Sequence, residues 1–356
     1  MCTTQRSLHS GPPSPLCYDR PSPCPAFIQQ ARACVTRGIQ PMSNPLSSPG
    51  YQRLLALQQR IHEFTREQAA EHDDTGEDPA GPLWASDYNY LALAPMRDGL
   101  HLEYYGELWD EPFAWTLECL AEQSVADTLS SLLFSGADEG ANGTREWEFS
   151  PLLDSAVQFP RLRSLAIRPT EPQDHNVSLI QKAGTIMEEA GEIARWVAKT
   201  PYLSELTLPN APNADFFQVD LPHLAQLRIG AHFDTQGFID NLAGSSNLPR
   251  LSSLDFSESS ALQQSWAKDR EEHAITSFAS YERLFASHAC DPLRALRLRN
   301  TCLSLEQLEA LQRQRPKLPI MVIQATTGGY VKNFARQVFP WQHLVQPDPG
   351  SDEPQG

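Results

Sequence analysis

Large apolar residues recur along this chain in one motif: two leucines stand three positions apart, and a third apolar residue follows two positions later. The strong copies begin at Leu162, Leu203, Leu224, Leu251 and Leu293. Weaker copies begin at Leu129 and Leu318. A proline stands two residues before most of these starts, at Pro160, Pro201, Pro222, Pro249 and Pro316. The recurrence of one spacing predicts a chain built from repeated structural units.

The spacing inside each motif predicts a β-strand. Successive side chains of a strand point to opposite faces, so Leu206 and Leu208 share one face and Thr207 takes the other. One such strand cannot bury its apolar side alone. Stacked copies can, because each supplies part of a continuous core. The motif therefore predicts parallel strands that follow one another across a sheet.

The intervals between motif starts are 33, 41, 21, 27, 42 and 25 residues. The shorter ones fit repeats of about 20–29 residues, and the longer ones require inserted segments. Helices are predicted within 180–199, 235–244, 274–288 and 304–314, the last with Ser304 and Gln307 in a capping-box arrangement. The predicted fold class is therefore α/β: a solenoid over residues 124–325, with parallel strands on its concave side and helices on its convex side.

The region before the repeats, residues 49–123, is predicted to form an α+β cap over the open end of the core. An apolar stripe from Leu54 to Phe64 predicts a helix over 50–70. The apolar runs within 84–110, joined at Asp98-Gly99, predict a hairpin. An alternative interpretation is a small ligand-binding or enzymatic unit in the 50–123 region, with Trp84, Trp109 and Trp115 lining a pocket and the repeats serving for targeting.

The two ends differ from the repeats in composition. Residues 1–48 contain many prolines and no long apolar run, which predicts a disordered arm; the alternative is a mis-called start upstream of Met42. Residues 326–356 are predicted to form a C-terminal cap and a disordered tail. Two polar insertions, 169–180 and 257–273, interrupt the repeats and are secondary candidates for recognition.

The motif resembles the leucine-rich repeat. Helices on the convex side, and Asn300-Thr301-Cys302-Leu303 after the Leu293 copy, resemble the ribonuclease-inhibitor-like type found in bacterial cytoplasmic leucine-rich-repeat proteins. The family pattern has Asn or Cys three residues after the last core leucine. Other residues hold that place here: Thr170, Ala211, His232, Ser259 and Thr301. This departure weighs against a regular horseshoe curvature. The resemblance implies a protein-binding scaffold.

Composition narrows the function classes. The 356 residues include 28 basic and 44 acidic side chains, which gives a net charge of −16. An acidic balance argues against a general nucleic-acid-binding protein, which would carry a basic surface. No window approaches 18 consecutive apolar residues, so no membrane span is predicted. The seven cysteines form no C-x-x-C pair, so neither a zinc site nor a redox motif is expected. Reduced thiols favour a cytoplasmic location.

No motif indicates catalysis. The sequence has no G-x-S-x-G elbow, no P-loop, no dinucleotide-binding glycine pattern and no H-E-x-x-H. His288 near Cys290 is the kind of pair that arises by chance. The chain is therefore predicted to be a non-enzymatic, monomeric interaction protein without cofactor or metal. The acidic balance suggests one variant, an inhibitor or immunity-like partner for a basic protein.

The predicted binding surface is the concave face, formed by the third, fifth and seventh motif positions. The polar members of this set are Arg168, Glu205, Thr207, Gln226, Arg228, Asp255, Arg297 and Arg299. Their four arginines and two acids make a mildly basic strip in an acidic protein. If this face is the contact, an acidic or mixed-charge partner fits it better than a basic one.

Overall fold

The computed structural model describes residues 45–72, 89–136, 144–168, 177–180, 189–230, 234–258 and 275–323. Several predictions from the sequence lie outside these residues. They concern the N-terminal arm before residue 45, Trp84, residues 169–176 and 259–273 of the two insertions, and the tail after 323.

A nine-stranded sheet organises the described residues, and its strands lie side by side in chain order. The first two strands form an antiparallel hairpin; every later neighbour is parallel. The sheet comprises β1 (Tyr90–Met96), β2 (Gly99–Tyr105), β3 (Leu129–Ser135), β5 (Ser164–Ile167), β7 (Glu205–Leu208), β8 (Gln226–Gly230), β9 (Ser253–Ser257), β10 (Ala295–Arg299) and β11 (Ile320–Ile323). Two further strands, β4 (Thr144–Trp147) and β6 (Val177–Ile180), form a separate parallel pair.

Helices connect these strands and cover the apolar face of the sheet. They are α1 (Pro49–His72), α2 (Glu111–Leu120), α3 (Gln123–Ala126), α4 (Ser150–Leu153), α5 (Glu192–Ala198), α6 (Phe238–Ala243), α7 (Phe278–Ala286) and α8 (Leu305–Gln314). Phe238 of α6 stacks on Phe256 of β9, with ring centroids 5.1 Å apart. Phe113 of α2 meets Phe134 of β3 edge-on at 6.5 Å. The class is therefore mixed α/β, as the sequence predicts.

Most predicted helices are present, but some are shorter than predicted. The capping box of α8 is confirmed: Gln307 N donates to Ser304 Oγ (3.3 Å), and Ser304 N donates to Gln307 Oε1 (2.8 Å). In the segment predicted as a helix over 180–199, Ile180 ends a strand, and the helix within the described residues 189–199 is Glu192–Ala198. Glu189 starts this helix by accepting the N–H groups of Gly191 (2.8 Å) and Ile193 (3.0 Å).

The residues before the repeats pack against the start of the sheet. Gln58 Nε2 of α1 donates to Leu91 O at 2.6 Å, and Thr65 Oγ1 donates to Asn89 O at 2.8 Å. Trp115 packs edge-on against Phe64, whereas Trp109 is 65% exposed after β2. This arrangement gives no support to a pocket that both indoles would line.

The apolar motif positions form the core under the sheet. In β7 and β8, Leu206, Leu208, Leu227 and Ile229 are all buried. The parallel register places them in two rows, because Leu206 pairs with Leu227 and Leu208 with Ile229. The inward orientation predicted for these residues is confirmed.

The last copy of the motif is displaced by one residue from its predicted register. The Leu318 copy predicts that Met321 and Ile323 point inward. In the sheet, Leu296 and Leu298 pair instead with Ile320 and Val322, so the prediction is wrong. Met321 pairs with Arg297 and is 38% exposed on the other face. Only one residue separates buried Leu318 from Ile320, whereas two separate the corresponding leucines of the regular motif. A one-residue slip exchanges the two faces of a strand.

Buried asparagines stand one residue earlier than the resemblance implies. Asn210 and Asn300 each lie two residues after the last core leucine of their motif and are nearly inaccessible. Asn210 Oδ1 accepts the Ile180 N–H (3.1 Å) and its Nδ2 donates to Ile180 O (3.4 Å), so one side chain extends the β4–β6 pair. Ala211 and Thr301 at the predicted position are buried.

Leu206→Ala should lower the free energy of unfolding by about 2–5 kcal/mol, because it leaves a cavity between rows of packed leucines. Thr207→Ala, on the opposite face of the same strand, is the matched control and should change it by less than about 0.5 kcal/mol. Urea unfolding followed by circular dichroism measures both. Equal small losses would show that Leu206 does not belong to the core.

Candidate interaction surface

The sheet face opposite the helices, called here the open face, carries the side chains between the core leucines. Strand register sets these side chains in rows perpendicular to the strands. The central row contains Glu103, Leu133, Ala166, Thr207, Arg228, Asp255, Arg297 and Met321. Neighbouring members are about 4.8 Å apart across the sheet, close enough for their side chains to act together.

The structure brings most of the predicted binding residues together on the four strands β7 to β10. Thr207, Arg228, Asp255 and Arg297 are consecutive in the central row. Glu205 and Gln226 pair in the adjacent row, and both are exposed. Arg299 lies on the other side of the central row, at the end of β10. Arg168 is separated from this group, because it follows β5 and its N–H donates to Phe134 O at 2.9 Å.

Asp255, one of the predicted binding residues, is held in an ion pair. Its carboxylate accepts two hydrogen bonds from the Arg299 guanidinium, from Nε at 2.6 Å and from Nη2 at 2.9 Å. Asp255 is only 8% exposed. The two residues lie on neighbouring strands, diagonal to each other in the register. Asp255 therefore holds Arg299 in position, and of the two side chains that of Arg299 is the more exposed to solvent. Pro209, also expected on this face, is buried.

The local charge of this part of the open face is positive. Arg228 and Arg297 flank Asp255 in the central row, and Arg299 is bound to it. With Glu205 included, the open face of β7 to β10 carries three arginines and two carboxylates, in a chain whose net charge is −16. Arg297 Nη1 also lies 3.5 Å from Ser253 Oγ. We call Arg228, Asp255, Arg297 and Arg299 the arginine cluster.

An aromatic group occupies the other end of the open face. Tyr90 and Tyr105 are directly paired on β1 and β2, and their rings stack with centroids 4.9 Å apart. Tyr90 OH donates to Glu103 Oε1 at 3.2 Å. Burial and the nearby Glu103 raise the pKa of Tyr90 to about 12, against an opposing effect of Arg168. The sequence predicts these tyrosines only as hairpin residues. Tyr105 stands two residues after Glu103, so the alternation of side chains along a strand would have placed both on the same face, and Tyr90 pairs with Tyr105.

A buried carboxyl group follows β9 and is bonded to a helix residue rather than to the arginine cluster. Glu258 directly follows β9, and its N–H donates to Arg299 O at 2.9 Å. Its Oε1 accepts from Tyr281 OH at 2.7 Å, while Oε2 has no hydrogen-bond partner of good geometry among the described residues. Burial raises the pKa of Glu258 to about 8. The group is therefore protonated and neutral below that pH.

The cysteines and histidines of the described residues do not form an activated nucleophile. Burial raises the pKa of Cys119 and of Cys302 to about 11 and raises the pKa of Cys290. A thiol with a raised pKa holds little of the reactive thiolate at neutral pH. His288 is exposed, and its Nδ1 lies 3.2 Å from Asp291 Oδ2. Among the described residues no cluster of three or more His, Cys, Asp or Glu side chains could hold a metal ion.

No helix within the described ranges is long and apolar enough to cross a membrane. Comparison with protein-family models, with curated proteins and with solved structures found no significant match. Function must therefore be inferred from the residues of this chain.

The protonated form of Glu258 should make stability depend on pH. Its pKa lies near 8 in the folded chain and near 4.5 in the unfolded chain, so folding favours the bound proton. The associated stability is fully present below about pH 4.5 and is lost as the pH rises to about 8, at up to about 1.4 kcal/mol per pH unit. Glu258→Gln keeps an acceptor for Tyr281 and should flatten this slope.

The measurement is the free energy of unfolding from urea titrations between pH 5 and pH 9. Glu282→Gln, at an exposed position on α7, is the matched control and should retain the wild-type slope. The assignment is wrong if Glu258→Gln and the wild type show the same pH dependence.

Proposed function

We propose that this protein is a non-enzymatic protein-interaction scaffold, a leucine-rich-repeat solenoid of the ribonuclease-inhibitor-like type that binds a protein partner on its open face. The order of the strands supports the solenoid, because neighbours in the chain are neighbours in the sheet from β7 to β11. The connecting α6, α7 and α8 add further support. A helix between two parallel strands is the unit that such repeats stack.

The observation that carries the binding assignment is the composition of the open face. The arginine cluster lies towards one end and the stacked tyrosines towards the other. Arginine and tyrosine are enriched among the residues that contribute most to protein–protein affinity. They combine apolar contact area with directional hydrogen bonds, and guanidinium groups bind carboxylates in a bidentate manner.

The charge of the open face favours one kind of partner. The net charge of the chain suggests that it inhibits a basic protein. The positive charges of such a protein would be repelled by the arginine cluster. An acidic or mixed-charge partner would meet it with complementary charge, which speeds association and selects against wrong partners. We therefore assign an acidic or mixed-charge protein surface to the open face.

The residues before the repeats fit the role of a cap. Helix α1 is joined to β1 by the hydrogen bonds of Gln58 and Thr65, and to the residue before α3 by Arg53, whose Nη2 lies 2.6 Å from Glu122 Oε1. Leu54, Leu57 and Ile61 of α1 belong to the same apolar core as the repeat leucines. An independent enzymatic unit in this region would not need to share its core with the repeats.

The double variant Arg228→Ala, Arg297→Ala tests the open face and leaves Arg299 in place, so that Asp255 keeps its ion pair. A partner captured from native extract by the wild-type protein, then titrated by calorimetry, should bind the double variant about 10–100-fold more weakly. This loss corresponds to roughly 0.7–1.4 kcal/mol for each of the two arginines, because a tenfold change in affinity is about 1.4 kcal/mol.

The matched control is Arg283→Ala, Arg313→Ala, which removes the same charge from helices α7 and α8. It should retain the partner with nearly unchanged affinity, and both variants should keep the wild-type circular dichroism spectrum. The open-face assignment fails if the two double variants bind the partner equally well.

A further inference from the structure

A second basic surface lies along the edge at which the parallel strands begin. Four consecutive motifs carry Arg161, Tyr202, His223 and Arg250 between the motif proline and its first leucine. Backbone hydrogen bonds keep the strand starts in register: Ser204 N to Arg163 O, Ala225 N to Ser204 O and Ser252 N to Ala225 O, all at 2.8–2.9 Å. The four side chains therefore stand in a row, which we call the strand-start ladder.

Two neighbouring members of the ladder, Tyr202 and His223, are in contact, and Arg163 lies against the first of them. The rings of Tyr202 and His223 stack with centroids 5.3 Å apart and an angle of 28° between their planes. The Arg163 guanidinium carbon lies 5.0 Å from the Tyr202 ring centroid, and Nη1 donates to Tyr202 O at 3.2 Å. Partial burial, then the charges of Arg250 and Arg163, lower the pKa of His223, against an opposing effect of Asp220.

Positive charge continues beyond the ladder on the same edge. Arg294 precedes β10 and Lys317 precedes β11, and both are exposed. Arg294 Nη1 donates to the carbonyl oxygens of Asp291 (2.8 Å) and Leu293 (2.9 Å). These carbonyl groups carry no net charge, so the two contacts do not neutralise the guanidinium. The carboxylate of Asp291 lies instead 2.7 Å from Arg315 Nη1. The edge is thus basic although the chain as a whole is acidic.

We propose that the strand-start ladder binds an extended acidic peptide segment of a protein partner. Arg161 and Arg250 are three strand intervals apart, about 14 Å, and Lys317 lies two intervals further, at about 24 Å. An extended peptide advances about 3.3 Å per residue, so about seven residues span the edge and place carboxylates near successive cations. Guanidinium groups bind carboxylates through paired hydrogen bonds.

The aromatic members of the ladder favour a peptide over a single-stranded nucleic acid. Nucleic-acid strands gain much of their affinity by stacking bases on accessible aromatic faces. In the ladder, Tyr202 and His223 stack on each other, and Arg163 lies over the Tyr202 ring. These contacts fix the ladder and occupy ring surface that bases would need. A carboxylate-bearing peptide requires only the cations.

The test uses a fluorescein-labelled ten-residue peptide of alternating Glu and Ser, titrated with the full chain at 50 mM salt and followed by fluorescence anisotropy. The Glu peptide should bind, and a peptide with Gln in place of Glu should bind at least tenfold more weakly. The double variant Arg161→Gln, Arg250→Gln should weaken binding of the Glu peptide at least fivefold. Thermal melting checks that this variant folds.

A control variant removes the same net charge elsewhere. Arg195→Gln, Arg313→Gln, on helices α5 and α8, should keep peptide affinity within twofold of wild type. The proposal is overturned if this control weakens binding as much as the ladder variant, or if the ladder variant binds like wild type. It is also overturned if a labelled ten-nucleotide oligothymidine binds more tightly than the Glu peptide and loses affinity with the ladder variant.

Discussion

Register between parallel strands is the constraint on which the rest of this molecule depends. Each strand offers one or two apolar side chains to the core, too few to be buried without its neighbours. Leu206 is covered because Leu165 and Leu227 lie beside it in the sheet. The same alignment that completes the leucine rows sets the intervening residues in rows on the opposite face. The core and the open face are therefore two results of one register.

Much of the fold could be predicted from the sequence because the apolar spacing is local. The positions of Leu206 and Leu208 follow from the alternation of a strand, whatever its neighbours. The inward residues of β11 could not be predicted in this way. The spacing from Leu318 gives Met321, whereas pairing with β10 selects Ile320 and Val322. When the local apolar pattern is compatible with either face of the sheet, pairing with the neighbouring strand determines which residues point into the core.

The sequence predicts which residues belong to the candidate site, but it does not predict the contacts between them. Alternation alone places Arg228, Asp255 and Arg297 on one face. The burial of Asp255 depends on Arg299, which is diagonal to it on the next strand and 44 residues away in the chain. Asn210 is similar, because its role depends on Ile180, a strand residue outside the repeated motif. Contacts between repeats are set by register, which one copy of a motif does not contain.

The pairing of Asp255 with Arg299 has a consequence for the kinetics of recognition. A free arginine side chain samples many rotamers, and fixing it on binding costs up to about 2 kcal/mol of conformational entropy. Two hydrogen bonds that Arg299 donates to Asp255 already fix the guanidinium plane before any partner arrives. An incoming group meets a rigid charge instead of one that must first be ordered, so less of the encounter energy is lost to ordering. Preorganisation of this kind gives specificity for shape as well as for charge.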